Sequence, residues 1–587
     1  MAQLSDVRPA GGLVSPLRAL GQIKPGVGTF VISVLLLALG FYIVLPIVIL
    51  LVMSFNVATD IFVGPARWGL DNWTRAWEHR IVLESLWNSF LIWFLVAVFA
   101  FPISIAIALV LARTRIPFSH GLEYMFWVAF MFPSLASTIG WIMLMDPDTG
   151  MLNHVAKSLP FISQPLFNIY SVQGIVWAKL MGDGIAFKVM LLTPAFRNMD
   201  AALEEAARVG GASKLGSMLR VTLPMMISPI VLILCLQLVR VFQGFETEQL
   251  LGPRWGFYVY STLIYRLANN QPPQYGEAVV LASITFLIIA AVIPFQGWIT
   301  RRRHYTTIAS GYRPGLMDLG RWKWVIFGAI AGLLLFLTVV PTIVVLVGSF
   351  MSRVGFFEAN PLWTLKHWQF VFTDAGIVKA FGTTLVLALT AGICSPILFS
   401  LLAYLIVRTR LRGRGALDSV IWGSAAIPGI LSGLGLLIMF LMVPGLNWFY
   451  GSIWALILVV IVAGKTTGVN VMKGVFVQLG KDMEESSRVA GAGWFGTYFR
   501  VVLPILMPTM VLIGVLNFVA AAGATSSIIL LASRETYTLS LLVLQLADPT
   551  VGRREAAGII SLIIMVMTLG VAWVARAYGF KVGVRQQ

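Results

Sequence analysis

The sequence predicts an all-α, polytopic membrane protein with about 12 transmembrane helices, arranged as two parallel six-helix repeats. The first observation is composition: 58% of the 587 residues are hydrophobic and only 11% are charged. The second is a series of twelve long apolar stretches, and the third is a set of motifs shared by the two halves. A soluble globular chain carries about 25% charged residues, so composition alone excludes that class.

Each apolar stretch is long enough to cross a bilayer, which takes about 20 mostly apolar residues. The predicted spans lie at roughly 29–53, 84–111, 121–145, 169–195, 222–245, 276–298, 324–350, 378–406, 417–442, 452–472, 502–522 and 557–577.

The repeat is visible in matched residues. The pairs separated by 295 residues are Pro46 and Pro341, Pro133 and Pro428, Gly140 and Gly435, and Arg113 and Arg408. Later pairs, such as Glu205 and Glu485, are 280 apart, so the first half carries about 15 additional residues near 146–170. With six spans, each half begins and ends on the same side. The repeats are therefore parallel, related by an axis along the membrane normal.

The predicted organisation has four parts. An N-terminal arm (1–28) precedes the first half (29–298), and a basic linker (299–323) precedes the second half (324–580). The linker contains Arg301, Arg302 and Arg303. Because it follows the sixth span, it lies on the same side as the N-terminus.

Charge sets the predicted orientation. With the N-terminus inside, 25 of the 42 Lys and Arg residues fall in cytoplasmic segments and 11 in outer loops. The other six lie within predicted spans: Lys179, Lys188, Arg240, Lys379, Lys465 and Arg576. This bias follows the positive-inside rule and predicts a multi-pass membrane protein with both termini cytoplasmic.

Several chemistries find no support in the sequence. Cys235 and Cys394 both fall within spans, and the five His residues are scattered over loops, so no disulfide framework or metal site is expected. Gly464-Lys465 is similar to the end of a phosphate-binding loop, but Val459 stands where that motif needs glycine. No nucleophile with a base, and no pair of acids, is evident inside the spans, so no catalytic residue is predicted.

The most informative motif is a polar segment that occurs twice, between spans four and five and between spans ten and eleven. The first copy contains Glu205, Ala206, Ala207 and Gly211, then Val221 and Leu223-Pro224. The second contains Glu485, Ser486, Ser487 and Gly491, then Val501 and Leu503-Pro504. An ordinary amphipathic connector at the membrane surface explains one copy but not two in register.

This segment resembles the cytoplasmic loop signature of type I ATP-binding-cassette importer permeases, in the form that fuses two halves in one chain. The resemblance covers about residues 30–580; Ser486 and Ser487 depart from the two alanines of the signature but keep their small size. It implies that these segments form coupling helices seated in two cytosolic ATPase subunits. It also implies a location in the bacterial cytoplasmic (inner) membrane and a periplasmic or surface-anchored substrate-binding protein. ATP and Mg would be bound by the partners, with no cofactor in this chain.

Polar residues inside the spans are candidates for the substrate pathway. They are Gln237, Arg240, Gln243, Glu246 and Glu248 at the end of span five, and Lys188 and Lys465 at similar places in the two halves. Ionisable groups in a membrane are costly, which favours function. An interhelical hydrogen-bond network, or snorkelling of the two lysines, is the alternative.

The resemblance extends to substrate. The segments Asp148–Asn153, Asn168–Ser171 and Gly276–Ala278 are similar to those of iron(III) importers, so iron(III) is expected, with 2-aminoethylphosphonate, polyamine or thiamine as alternatives. The rival class is a secondary transporter with 6+6 parallel repeats. That class favours a long central loop and embedded acids, whereas here the doubled polar segment dominates.

Overall fold

The computed structural model describes residues 27–577 apart from 59–60, 63–64, 199–201, 303–316, 410, 412, 425–426, 481 and 549. Within these residues the chain is helical and no strand occurs. Most of the predicted N-terminal arm, most of the basic linker and the last ten residues lie outside this part.

The helices follow the two predicted halves. In the first half they are α1 (Val27–Leu39), α2 (Leu45–Met53), α3 (Asp71–Glu78), α4 (Arg80–Arg113), α5 (Ser119–Met131), α6 (Ser134–Met145), α7 (Met151–Lys157), α8 (Val172–Lys179), α9 (Ile185–Arg197), α10 (Ala202–Val209), α11 (Lys214–Ser217), α12 (Leu223–Met225), α13 (Ile227–Arg240), α14 (Glu246–Leu251), α15 (Tyr260–Asn269) and α16 (Tyr275–Arg302). In the second half they are α17 (Trp322–Leu334), α18 (Val340–Phe350), α19 (Lys366–Thr373), α20 (Ala375–Arg408), α21 (Arg414–Gly423), α22 (Gly429–Met442), α23 (Ile453–Ala463), α24 (Lys465–Gln478), α25 (Asp482–Val489), α26 (Trp494–Thr497), α27 (Leu503–Ala522), α28 (Leu539–Ala547) and α29 (Arg554–Ala577).

The described residues of the twelve predicted spans are mostly helical, but not all spans are single straight helices. In the described residues, six helical segments are long and apolar enough to cross a membrane alone, and two bent pairs raise the number to eight. The bends are 90° between α5 and α6 and 42° between α23 and α24. The other four predicted spans are covered by shorter pieces: α8 with α9, α12 with α13, α16, and α21 with α22. The chain is therefore an all-α polytopic membrane protein, as predicted.

The repeat extends to local backbone irregularities. A π-helical turn at Gly40–Val44 precedes Pro46, and its counterpart at Leu335–Val339 precedes Pro341. The Leu45 N–H donates to the carbonyl of Gly40, five residues back rather than four. Proline lacks the N–H of a regular helix and crowds the carbonyl four residues before it, so widening the preceding turn relieves the clash.

The halves are joined by a reciprocal contact of matched residues. Gly140 on α6 lies against Pro341 at the start of α18, and Gly435 on α22 lies against Pro46 at the start of α2. A Cβ atom added at Gly140 would come within 2.8 Å of the Pro341 Cα and carbonyl oxygen. Only glycine permits this approach. The first span of each half thus packs on the third span of the other.

One end of the bundle carries the doubled polar segments, as α10 and α25. Arg113, the last residue of α4, contacts α10. Met317, in the described end of the linker, lies beside it, because its N–H donates to the Arg113 carbonyl at 2.9 Å. The last helix, α29, ends here too, because Arg576 stacks 3.7 Å from the Tyr124 ring at the start of α5. Arg554, which begins α29, is therefore at the opposite end, about 36 Å away for a helix of 24 residues.

Candidate functional site

The two polar segments form matched helices that end in the same way. Gly211 follows α10 with φ +87° and Gly491 follows α25 with φ +86°, a left-handed conformation that favours glycine. The Ala212 N–H donates to the Ala207 carbonyl and the Ala492 N–H to the Ser487 carbonyl, both at 3.0 Å. The predicted glycines therefore stop each helix and turn the chain back towards the next span.

The first glutamate of α10 points into the protein. Glu204 is only 5% exposed and forms an ion pair with Arg113, Nη2 to Oε1 at 2.9 Å. The Thr222 hydroxyl donates to the same carboxylate oxygen at 2.7 Å. Arg113 is itself 1% exposed. A buried charge is tolerated only when it is paired and hydrogen-bonded, as here.

The second half contains the equivalent ion pair, supported by a different hydroxyl group. Arg408 Nε lies 3.1 Å from Glu484 Oε1, and the Tyr404 hydroxyl donates to Oε2 at 3.1 Å. Arg408 also donates to the carbonyl of Leu479, 2.6 Å away, just before α25. Arg113 and Arg408 are matched in the sequence, but no role was predicted for them. The two glutamates beside the signature were the signal that could have indicated an ion-pair partner.

The residues predicted to couple to ATPases lie on the outer side of these helices. Glu205, Ala206 and Gly211 are exposed in the first copy, and Ala207 is half-buried. Their counterparts Glu485, Ser486, Ser487 and Gly491 have the same pattern of exposure.

Two valines, which the sequence analysis did not single out, complete this surface. Val209 is 90% exposed and Val489 89% exposed, at equivalent positions at the ends of α10 and α25. Apolar side chains this exposed on a charged helix, repeated in both halves, indicate a surface that packs against another protein.

The serines that depart from the signature are accommodated locally. The Ser486 hydroxyl donates to the Asp482 carbonyl of its own helix at 2.7 Å. Ser487 lies 3.1 Å from the Thr497 hydroxyl, so it adds a bond between α25 and α26. The shape of the helix and its cap is unchanged.

The predicted pathway residues at the end of span five divide between two elements, because a 3₁₀ turn at Val241–Gln243 separates α13 from α14. Gln237 and Gln243 are half-buried, and the side chain of Arg240 lies outside the described residues. Glu246 accepts a hydrogen bond from Thr525 of the second half. Glu248 is 4% exposed and pairs with Lys179, Nζ to Oε1 at 2.7 Å. Glu246 and Glu248 therefore each connect α14 to another segment of the bundle.

The two matched lysines are both buried. Lys188 is inaccessible, donates to the Gly184 carbonyl at 2.6 Å and lies 5.2 Å from the centre of the Phe101 ring. Lys465 is 9% exposed and begins α24, directly after the bend. Each lysine thus lies in the first turn of a helix that follows a break.

A charged cluster that the sequence analysis did not find joins the halves at the opposite end. Asp146 accepts from Arg554 of the second half (Nη1 to Oδ2, 2.8 Å) and from the Tyr170 hydroxyl at 3.1 Å. Arg254 stacks 4.3 Å from the Tyr170 ring and lies 3.5 Å from the same oxygen. The residues of this cluster are up to 408 positions apart in the chain, so no spacing in the sequence reveals it.

The electrostatics of this cluster favour the charged carboxylate. Burial works to raise the pKa of Asp146, but hydrogen bonds from the Thr149 backbone N–H and from Arg554 more than offset it, so the pKa is lowered. Beside the cluster, His154 of α7 stacks on Phe357 of the second half with ring centres 4.3 Å apart.

Among the described residues no group of three His, Cys, Asp or Glu side chains is placed to hold a metal ion.

Comparison with known proteins defines the class. The chain matches the family described as binding-protein-dependent transport system inner membrane component twice, over residues 100–305 and 396–582. It belongs to that family and is a multi-pass inner-membrane protein. The two matches fall in the two halves, and the family expected from the doubled motif is confirmed.

Three similar proteins illustrate the breadth of the class. The putative ferric transport system permease protein FbpB 1 of Haemophilus influenzae is 25% identical over 63% of this chain and 58% of its own length. The probable ABC transporter permease protein y4fN of Sinorhizobium fredii is 24% identical over 75% of this chain and 77% of its own. A crystal structure of a bacterial ABC transporter that imports the acidic polysaccharide alginate aligns with a TM-score of 0.40 and 18% identity, over 46% of this chain and 95% of that one. The chain spans little more than half the length of the ferric permeases that it matches.

Proposed function

We propose that this chain is the transmembrane permease subunit of an ATP-driven, binding-protein-dependent importer. It forms the substrate pathway and couples to two cytosolic ATPase subunits, which bind ATP and Mg. The observation that carries the proposal is the pair of matched helices α10 and α25, each anchored inside the protein and each presenting an exposed face. Two equivalent faces fit a partner that is itself twofold.

The exposed faces have the chemistry of a docking surface. Each combines a glutamate, small residues and an exposed valine: Glu205 and Val209 in the first half, Glu485 and Val489 in the second. Small residues let another backbone approach closely, and a buried apolar side chain supplies affinity. In this proposal each valine enters a cleft of one ATPase subunit, and each glutamate bonds to groups at the rim.

The orientation of the chain in the membrane is proposed from the distribution of its basic residues. The end that carries α10 and α25 also carries Arg113 and Arg408, which the positive-inside rule places in the cytoplasm. The termini are then cytoplasmic, and the Asp146 cluster faces the periplasm, where a substrate-binding protein docks.

The substrate we propose is iron(III), because two similar proteins are ferric transport permeases. 2-Aminoethylphosphonate, polyamine and thiamine are the alternatives. Glu246, Glu248, Lys188 and Lys465, with Gln237, Arg240 and Gln243, remain our candidates for the pathway. Selectivity in this proposal is set by the binding protein, since the described residues offer no cluster of metal ligands.

The test is reconstitution. The chain is co-expressed with the ATPase encoded beside it, and ATP hydrolysis is measured in lipid with and without the neighbouring binding protein. We expect copurification and stimulated hydrolysis, both lost in Glu205→Ala/Glu485→Ala and in Val209→Asp/Val489→Asp. The matched control is Val155→Asp. Val155 is 63% exposed at the end of the bundle opposite α10 and α25, so this variant should leave ATPase copurification unchanged. Absence of copurification for the wild type would contradict the proposal.

A further inference from the structure

Adjacent glutamates at the start of each coupling helix lie in opposite surroundings. Glu204 is 5% exposed and bonded to the spans, whereas Glu205 is exposed. Consecutive residues of a helix point about 100° apart, so one side chain faces the bundle while its neighbour faces outward. The second copy repeats the division in Glu484 and Glu485.

The inward glutamate joins three parts of the first half. Its Oε1 atom accepts hydrogen bonds from Arg113 Nε at 3.2 Å and from the Thr222 hydroxyl at 2.7 Å, and Arg113 Nη2 lies 2.9 Å away in an ion pair. Arg113 ends α4, a helix of 34 residues, and Thr222 ends the π-helical turn that leads into span five. An isolated helix of eight residues is unstable and has no fixed orientation, so these bonds set its direction.

The second half reaches the same arrangement with other residues. Arg408 ends α20, also 34 residues long, and forms an ion pair with Glu484 at the position where Arg113 pairs with Glu204. The position equivalent to Thr222 is Val502, and the additional hydroxyl comes instead from Tyr404, whose own equivalent is Leu109. The ion pair is thus common to both halves, while the hydroxyl that supports it comes from a different element in each.

We propose that Glu204 and Glu484, with Arg113 and Arg408, are positioning residues that transmit movement between the ATPases and the spans. They fix each coupling helix to the end of a 34-residue helix, so that displacement of α10 or α25 moves α4 or α20 with it. The outward neighbours Glu205 and Glu485 contact the ATPase instead. This inference rests on the proposed function, but its structural part is testable on the chain alone.

The first test is hydrogen–deuterium exchange of the full chain in lipid nanodiscs, without any partner. In Glu204→Gln, amides of residues 202–212 should exchange about tenfold faster, as expected for the loss of one charge-assisted hydrogen bond. Residues 482–492 should be unaffected, and Glu484→Gln should give the reverse pattern. The matched controls Glu205→Gln and Glu485→Gln should leave both segments unchanged. Equal effects of Glu204→Gln and Glu205→Gln, or no effect of either, would overturn the proposal.

Milder variants keep the test decisive if Glu204→Gln does not fold. Thr222→Val installs the residue that the second half carries at this position, and it removes one bond to Glu204. Faster exchange is expected at 202–212 only. Tyr404→Phe is the counterpart and should act at 482–492 only. Unchanged exchange in both variants counts against the proposal.

The second test separates transmission from docking in the reconstituted complex. Glu204→Gln/Glu484→Gln should keep ATPase copurification and basal hydrolysis but lose stimulation by the binding protein. Glu205→Gln/Glu485→Gln should instead weaken copurification. A purely structural role would lower all three quantities together with expression. If the wild-type ATPase does not bind, the proposed function fails while the exchange result still decides the positioning role.

Discussion

The two ends of the molecule treat the two halves differently. At one end, Arg113 and Glu204 are matched by Arg408 and Glu484. At the other, the Asp146–Arg554 ion pair has no counterpart, because the position equivalent to Asp146 is Leu441. In the proposed function the end with α10 and α25 presents one surface twice, which explains why its contacts are kept in both halves. The opposite end has no such requirement, and its contacts differ between the halves.

The same division holds between the layers of the bundle. The glycine–proline contacts are reciprocal, Gly140 with Pro341 and Gly435 with Pro46. The polar bond between Glu246 and Thr525 is one-sided, since the acid comes only from the first half. Packing of the spans is therefore twofold, whereas the polar groups at the end of span five and the loops that cover it are not. The polar groups proposed to line the pathway are thus asymmetric within a symmetric scaffold.

The largest effect is expected from breaking the one-sided cluster. Asp146→Ala leaves Arg254 and Arg554 without their shared carboxylate, which is 2% exposed, and should lower stability by about 3 kcal/mol. Thermal unfolding of the chain in detergent measures this. Asp148→Ala is the control: its side chain is 69% exposed and should cost less than about 1 kcal/mol. Equal losses would show that the cluster does not hold the halves together.

The next prediction sharpens the symmetric contact. Gly140→Ala should destabilise the chain by about 1–3 kcal/mol, because the added Cβ atom meets the backbone of Pro341 at 2.8 Å. Gly435→Ala should cost less, since its closest neighbours are the Pro46 Cβ at 2.9 Å and the Leu50 side chain at 3.1 Å.

Gly328→Ala in α17 is the control for this pair, because an added Cβ atom there has no neighbour within 4 Å. Alanine favours a helix over glycine, so this variant should be neutral or slightly stabilised. Midpoints of thermal unfolding, compared in one detergent, rank the three variants. A larger loss in Gly435→Ala than in Gly140→Ala would contradict the geometry.

The smallest effect concerns pH. Because the pKa of Asp146 in the folded chain lies below its ordinary value, the cluster contributes its full stability above pH ~4 and loses it as pH falls through the lowered pKa. The stability difference between the wild type and Asp146→Asn should therefore stay constant from about pH 8 to about pH 5 and narrow only in stronger acid. Unfolding midpoints across this range test it; a difference that disappears near pH 6 would mean that the ion pair is absent.

The sequence predicted the helices, the repeat and the family because these depend on local patterns. Apolar runs of sufficient length define spans, and the offsets of 295 and 280 residues locate the halves. The signature also identified the segment that became α10 and α25, and Gly211 and Gly491 do end them. The different surroundings of Glu204 and Glu205 were not predictable, because two adjacent glutamates look alike in the sequence.

What only the tertiary structure decided is which distant groups meet. Arg113 and Glu204 are 91 residues apart, Glu246 and Thr525 are 279 apart, and Asp146 and Arg554 are 408 apart. The bends in spans three and ten were likewise hidden, since an apolar composition is the same for straight and broken helices. Hydropathy is a property of each segment and is readable along the chain. Ion pairs depend on how segments are brought together, and that is fixed only when the apolar surfaces pack and each buried charge must find a partner.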